Sequence, residues 1–166
     1  MRASQRQSEY PAGFTLVEVL VVVILLGIIG AAVVPMFFGV GGMQGMSAAR
    51  IISSDLQYAQ NVAITSQQPV SVTFDTSGNS YSLTNASGPL KHPMTHADYL
   101  VDLRTQNGFD QLDIATASFQ GSPSVTFDEL GSPSDGGSVT VRGGEEVYRI
   151  DVSPVTGTVA VTRVGP

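Results

Sequence analysis

Gly13-Phe14-Thr15-Leu16-Val17-Glu18 opens a stretch that continues Val19-Leu20-Val21-Val22-Val23-Ile24-Leu25-Leu26-Gly27-Ile28-Ile29-Gly30-Ala31-Ala32-Val33-Val34 and then Pro35. Between Val19 and Val34 there is no charged or polar side chain. At ~1.5 Å rise per residue, residues 14–40 make a helix of roughly 40 Å, which exceeds the ~30 Å hydrocarbon core of a bilayer. Arg2 and Arg6 precede the span and Arg50 is the first cation after it. The positive-inside bias therefore keeps the leader in the cytoplasm and sends the C-terminal part across the membrane. The odd residue is Glu18, because an ionised carboxylate in apolar surroundings costs several kcal/mol and is rarely kept without a partner.

Two ordinary readings leave that carboxylate unexplained: a secretory signal cut after Gly30-Ala31-Ala32, and a plain single-pass anchor. A third gives it a role. If the chain is cut between Gly13 and Phe14, a free ammonium stands four residues from Glu18 at the head of a very hydrophobic helix. When such helices pack with an axial stagger, the ammonium of one meets the carboxylate of the next. In a low-dielectric core that pair is strongly coupled, and either charge left alone is costly.

Gly13-Phe14-Thr15-Leu16-Val17-Glu18 before a long apolar run resembles the processing signal of type IV pilins and type II secretion pseudopilins. The resemblance implies that a membrane prepilin peptidase cleaves after Gly13 and methylates the amine of Phe14, and that Glu18 contacts a neighbouring subunit's N-terminus. The chain would then be the peptidase's substrate and not itself an enzyme. Pro35 lies where pilins often carry a helix-bending proline. A proline inside a helix removes a donor and crowds the carbonyl four residues back, although one that merely ends the span is the plainer alternative. Gly39, Gly41, Gly42 and Gly45 follow, each costing ~1 kcal/mol of helix stability relative to Ala, so a local bend or melt is expected there.

Beyond the glycines, Ala48, Ile52, Leu56, Ala59 and Ala63 form one apolar stripe at helical spacing, and Gln67-Gln68-Pro69 ends the run. Period-two alternation then predicts strands at Val70–Asp75, around Tyr81 and Leu83, at Tyr99–Leu103, Leu112–Phe119, Val125–Phe127, Ser138–Arg142, Val147–Val152 and Thr158–Val164. The expected fold is α+β and pilin-like: a long N-terminal helix, its first half hydrophobic and membrane-spanning, packed on an antiparallel β-sheet domain. The domains are 1–13, a cleaved leader; 14–40, a transmembrane and assembly helix; 41–66, its amphipathic continuation; and 67–166, a β-rich periplasmic domain. Residues 56–74 and the C-terminal run from Val125 to Val159 resemble the GspH/FimT group of minor pseudopilins. The segment from Asn85 to Gln111 matches nothing in that pattern.

Of the 166 residues, 42% are hydrophobic and 13% charged, and none is Cys or Trp. Disulfide scaffolds, thiolate metal sites and Cys nucleophiles are thereby excluded. Eight basic against 14 acidic side chains, a formal net charge of −6, argue against nucleic acid as partner, since phosphate binding needs clustered Lys and Arg. Arg50, Lys91, Arg104, Arg142, Arg149 and Arg163 face twice as many carboxylates, although Arg142, Arg149 and Arg163 fall on the last three strands and could gather on one face. His92 and His96 flank Pro93 in a loop without a third ligand. Asp110 and Asp113 lack the spacing of a calcium loop. No Gly-x-Ser-x-Gly, Walker or dinucleotide pattern occurs. Neither metal, cofactor nor catalytic residue is assigned.

The resemblance implies a minor pseudopilin of a type II secretion system, anchored in the bacterial inner membrane and joining a periplasmic filament that drives protein export. Its partners would be the prepilin peptidase, other pseudopilins and inner-membrane lipid, with secreted cargo or the outer-membrane secretin as further contacts. The alternative is a minor, FimT-like type IV pilin serving pilus assembly or DNA uptake.

Overall fold

In the computed structural model, residues 14–38, 40–105, 109 and 112–165 are described. The chain divides into two compact units, Met1–Phe38 and Gly39–Pro166. The first contains helix α1 (Leu16–Phe38), which runs without interruption through Pro35. Leu16–Val33 is long and apolar enough to cross a membrane, and none of it is buried within the protein. A helix that is hydrophobic all round has no polar face to give to water.

The second unit is built on helix α2 (Val40–Ser66). Its stripe is the expected one: Ala48, Ile52, Leu56, Ala59 and Ala63 are fully buried, joined by Ala49. Four of the six are alanines, which lets strand side chains approach the helix axis closely. The helix starts at Val40 and stays regular through Gly41, Gly42 and Gly45. Gly45 has a packing reason, since a Cβ there would stand 3.0 Å from the ring of Tyr148. The far end stops at Gln67, in the left-handed region at φ 51°, where the Gln68 amide donates to the Ala63 carbonyl at 3.3 Å and Pro69 follows.

Two antiparallel sheets complete the unit. The first orders β3 (Gly88–Pro89), β2 (Ser80–Asn85), β1 (Val70–Asp75) and β6 (Ser124–Phe127), with β4 (Leu100–Asp102) pairing β2 beside β3. The second orders β5 (Leu112–Phe119), β7 (Gly137–Gly143), β8 (Glu146–Val152) and β9 (Val159–Gly165). Alternation sends Val70, Val72, Phe74, Tyr81, Leu83, Val125 and Phe127 inward from one sheet and Val139, Val141, Tyr148, Ile150 and Val152 inward from the other. In β5 the parity changes partway. A bulge between Ile114 and Thr116 lets Leu112 and Ile114 on one side of it, and Phe119 on the other, all face the core. The rings of Phe74 and Phe119 stack at 6.1 Å where the sheets meet.

Asn79 locks the two sheets together. It is buried, at φ 54°, in the β1–β2 turn. Its Nδ2 donates to the Leu112 carbonyl at 2.6 Å, its Oδ1 accepts the Ile114 amide at 2.7 Å, and its carbonyl accepts the Leu103 amide at 3.1 Å.

Candidate functional site

At the head of α1, Thr15 and Glu18 stand in the threonine-x-x-glutamate spacing of a capping box. The Glu18 amide donates to Thr15 Oγ1 at 3.2 Å, so Thr15 serves as the N-cap and satisfies one of the orphan donors of the first turn. Phe14, 82% exposed, precedes it. Glu18 is exposed in the first turn, and among the described residues its carboxylate has no ion-pair partner within the chain. The helix N-terminus favours a negative charge there by ~0.3–1 kcal/mol, far short of what desolvation in lipid costs. Gly13, expected before the cut, lies outside the described residues, and so does the leader. Pro35 sits inside α1, three residues before its end at Phe38. It therefore does not terminate the helix.

Elsewhere the structure decides which faces the C-terminal arginines take. Arg142 and Arg149 are exposed on the outer face of the second sheet. Arg163, by contrast, lies opposite Tyr148 in the β8–β9 register, on the face turned to α2. Arg142, Arg149 and Arg163, which the sequence left free to gather on one face, are therefore divided between two faces. The cause is plain alternation: Arg163 keeps the parity of Val159 and Val161 along β9, whereas Arg142 and Arg149 alternate with the buried Val141 and Tyr148. Arg149 is further occupied by Asp151 at 3.0 Å, and Arg163 by Glu146 at 3.1 Å. Neighbouring carboxylates thus dilute what cationic surface exists, which disfavours phosphate-backbone binding.

His92 and His96 belong to a tight turn. The His96 amide donates to the His92 carbonyl at 2.9 Å, and His92 Nδ1 accepts the amides of Met94 and Thr95 at 3.2 and 3.3 Å. A ring nitrogen engaged with backbone donors is not offered to a metal. Among the described residues no three His, Cys, Asp or Glu side chains converge as a metal site. Asp110 lies outside them, while Asp113 is exposed and stands opposite Arg142.

Sequence reasoning passed over a carboxylate that the fold does use. Asp55 lies on the border of the α2 stripe, one residue from Leu56 and three from Ile52, and that position was the available signal. Its Oδ2 accepts the Tyr81 hydroxyl at 2.5 Å and its Oδ1 the Tyr99 hydroxyl at 2.9 Å. Desolvation raises the Asp55 carboxyl above its ordinary value, against the opposing pull of both tyrosines and of His92. Burial and the nearby carboxylate push the Tyr81 and Tyr99 hydroxyls well above the usual tyrosine range, so both remain neutral donors. Tyr58 stacks on Tyr99 at 5.5 Å and His92 packs against it at 4.8 Å. The cluster ties the otherwise unassigned segment after Asn85 to α2, a positioning role for which no bond-making chemistry is evident.

Comparison with known proteins places these features. The model of the family described as type II transport protein GspH matches residues 48–157, and that of the prokaryotic N-terminal methylation motif matches residues 11–34. Among solved structures, the minor pseudopilin EpsH from the type 2 secretion system of Vibrio cholerae is similar, with TM-score 0.54 at 14% identity over 74% of this chain and 98% of that one. A second EpsH crystal structure gives 0.51 at 14% identity, over 74% and 94%. The type IV minor pilin FimU of Pseudomonas aeruginosa gives 0.48 at 18% identity, over 72% and 87%. No curated protein matches the chain in sequence. At 14% identity the likeness to EpsH shows a shared pilin-like fold and nothing beyond it. Since the GspH model spans more than half of the chain, from the buried face of α2 through every long strand but the last, the protein belongs to the GspH family and carries the N-terminal methylation motif in front of it.

Proposed function

We propose that the protein is a minor pseudopilin of a type II secretion system, a structural subunit of a periplasmic filament that drives protein export. The observation that carries this reading is the GspH match across residues 48–157 directly behind a methylation motif at 11–34. In this reading α1 anchors the precursor in the inner membrane with its N-terminus cytoplasmic, and a prepilin peptidase cuts after Gly13 and methylates Phe14. The new ammonium of one subunit then pairs with Glu18 of its neighbour. Both charges are costly alone in an apolar bundle and mutually compensating together, so the pair sets register while the exposed apolar surface of α1 supplies adhesion. Residues 14–40 act as the assembly helix, Pro35 as its bending point, and the β-domain as the contact surface for other pseudopilins, cargo or the secretin.

The test is deletion of the gene in the organism that carries it. Loss of export of folded proteins, with pilus-dependent motility and DNA uptake intact, is the expected result. The reverse pattern would overturn the secretion reading in favour of a type IV pilin.

A further inference from the structure

Arg163 is an unusual residue for its position. It lies on the face of β9 turned to α2, opposite Tyr148, where its neighbours up the strand face a hydrophobic core. An inward-pointing charge blunts an edge strand against unwanted pairing, which accounts for one cation. It does not account for Arg50, which projects from α2 into the same place. Arg50 and Arg163 together with Met43, Met46, Ser47, Glu146 and Tyr148 line a groove of about 470 Å³. A second hollow of about 390 Å³ shares Met46, Arg50, Tyr148 and Arg163 and adds Val161.

The charge in this groove runs against the rest of the molecule. The whole chain carries a net −6, yet here two guanidinium groups meet one carboxylate. Glu146 is already engaged, by Arg163 at 3.1 Å and by the Tyr148 hydroxyl. Among the described residues Arg50 makes no hydrogen bond or ion pair. A planar, always-charged guanidinium without a partner suits a phosphate. The walls add a second requirement, since Met43 is 77% and Met46 37% exposed. A bare inorganic anion would leave these flexible thioethers uncovered, whereas a phosphate attached to an apolar body would cover them.

Chain connectivity indicates which phosphate is nearest. Met43 is five steps along the chain from Phe38, the end of α1, at most about 18 Å even when fully extended. If α1 lies in a bilayer, the headgroup layer is therefore the phosphate source that the chain itself keeps close to Met43 at the edge of the groove. We propose that the Arg50–Arg163 groove binds the phosphodiester headgroup of an anionic phospholipid, with Met43 and Met46 against its glycerol and acyl portion. The site rests on the membrane reading of α1. It would fix the soluble unit against the membrane surface before assembly, and extraction into a filament would have to break that hold.

The test uses the full-length chain, with isotope-labelled arginine, in phosphatidylcholine nanodiscs doped with increasing phosphatidylglycerol. The expected result is a saturable shift of the Arg50 and Arg163 side-chain resonances. Arg50→Gln should need on the order of 10-fold more phosphatidylglycerol, as befits a lost charge-assisted contact. Arg149→Gln, on the opposite sheet face, should titrate like wild type. Glu146→Gln removes the competing carboxylate and should bind more tightly, so the site is tested by a gain as well as a loss. Absence of a saturable shift, an Arg149→Gln effect equal to that of Arg50→Gln, or weaker binding by Glu146→Gln would each overturn the proposal. So would inorganic phosphate producing the same shift in pure phosphatidylcholine discs, which would make the occupant a free anion. Cleavage and methylation at Phe14 are read separately by mass spectrometry, so a blank titration leaves the pseudopilin reading standing.

Discussion

At the scale of single residues, the first turn of α1 poses a choice between two uses of one glutamate. Thr15 caps the helix through the Glu18 amide, and a capping box would employ the Glu18 carboxylate locally. Glutamine serves a capping box as well as glutamate does, but it cannot neutralise an ammonium. Glu18→Gln and Glu18→Val are therefore both expected to insert and to be cleaved normally, while recovery in cross-linked complexes with partner pseudopilins falls on the order of 10-fold. Full co-assembly of the glutamine variant would reduce Glu18 to a cap. Upstream, Gly13→Val should leave an unprocessed precursor, visible as the leader's extra mass.

Asp55 allows a signed prediction of pH dependence. Its folded pKa is raised, chiefly by desolvation. The contribution it makes to stability is thus fully present below the unfolded carboxyl value of about 3.9 and is lost as pH rises through the folded value. Asp75 behaves oppositely: bonds from the Gly78 amide and from Ser77 hold it low, and that contribution is lost on acidification. Comparing wild type with Asp55→Asn cancels Asp75 and every other common group. The melting-temperature advantage of wild type over Asp55→Asn should therefore grow from neutral pH towards pH ~4. An advantage that shrinks with acid would mean that the two tyrosine hydrogen bonds outweigh burial.

Among the elements, α2 shows a helix with two differently supported halves. From Ala48 to Ala63 it is held by a fully buried face, whereas its first turns contain Gly41, Gly42 and Gly45, each costing ~1 kcal/mol relative to Ala. Those turns are helical in the structure, so the expected melt is not its resting state. Their weakness should still appear as opening. Amides of residues 41–46 are expected to exchange on the order of 100-fold faster than those of 52–59 in nanodiscs, and equal protection would contradict any extensible role. Gly45 cannot be repaired at no cost. Gly45→Val places side-chain carbon where the Tyr148 ring packs at 3.0 Å from a mere Cβ, and should destabilise by ~1–3 kcal/mol through overpacking.

For the molecule as a whole, what was legible in the sequence followed from periodicity. The α2 stripe, the ends of β1 and the inward residues of β6, β7 and β8 could be read because each side chain's burial repeats with its neighbours. Bulges break that repeat, and no residue pattern announced those at Ala115 or between Val147 and Tyr148. Arg163, by contrast, was legible, since it shares the parity of Val159 and Val161, but the groove beside it was hidden, because nothing local brings Arg50 of α2 against β9. The processing motif was legible for a different reason, as a short linear signal that depends on no tertiary contact. What stayed invisible was the division of the strands into two sheets, because nothing local states which sheet a strand joins. Asn79 is where that division is held: one side chain donates to Leu112 and accepts from Ile114 across the seam. Removing it leaves a buried carbonyl and a buried amide unpaired, each costing ~1–3 kcal/mol. Asn79→Ala should therefore lower stability by ~2–4 kcal/mol. Asn79→Asp should be worse, because it replaces the donor to Leu112 with a charge buried against a carbonyl. If the sheets depend on each other through this seam and the shared α2 core, both variants will still unfold in one step, with tyrosine fluorescence and backbone circular dichroism falling together. Separation of the two signals in Asn79→Ala would show instead that each sheet can hold its half of α2 alone, with the asparagine as the tie that makes them cooperative.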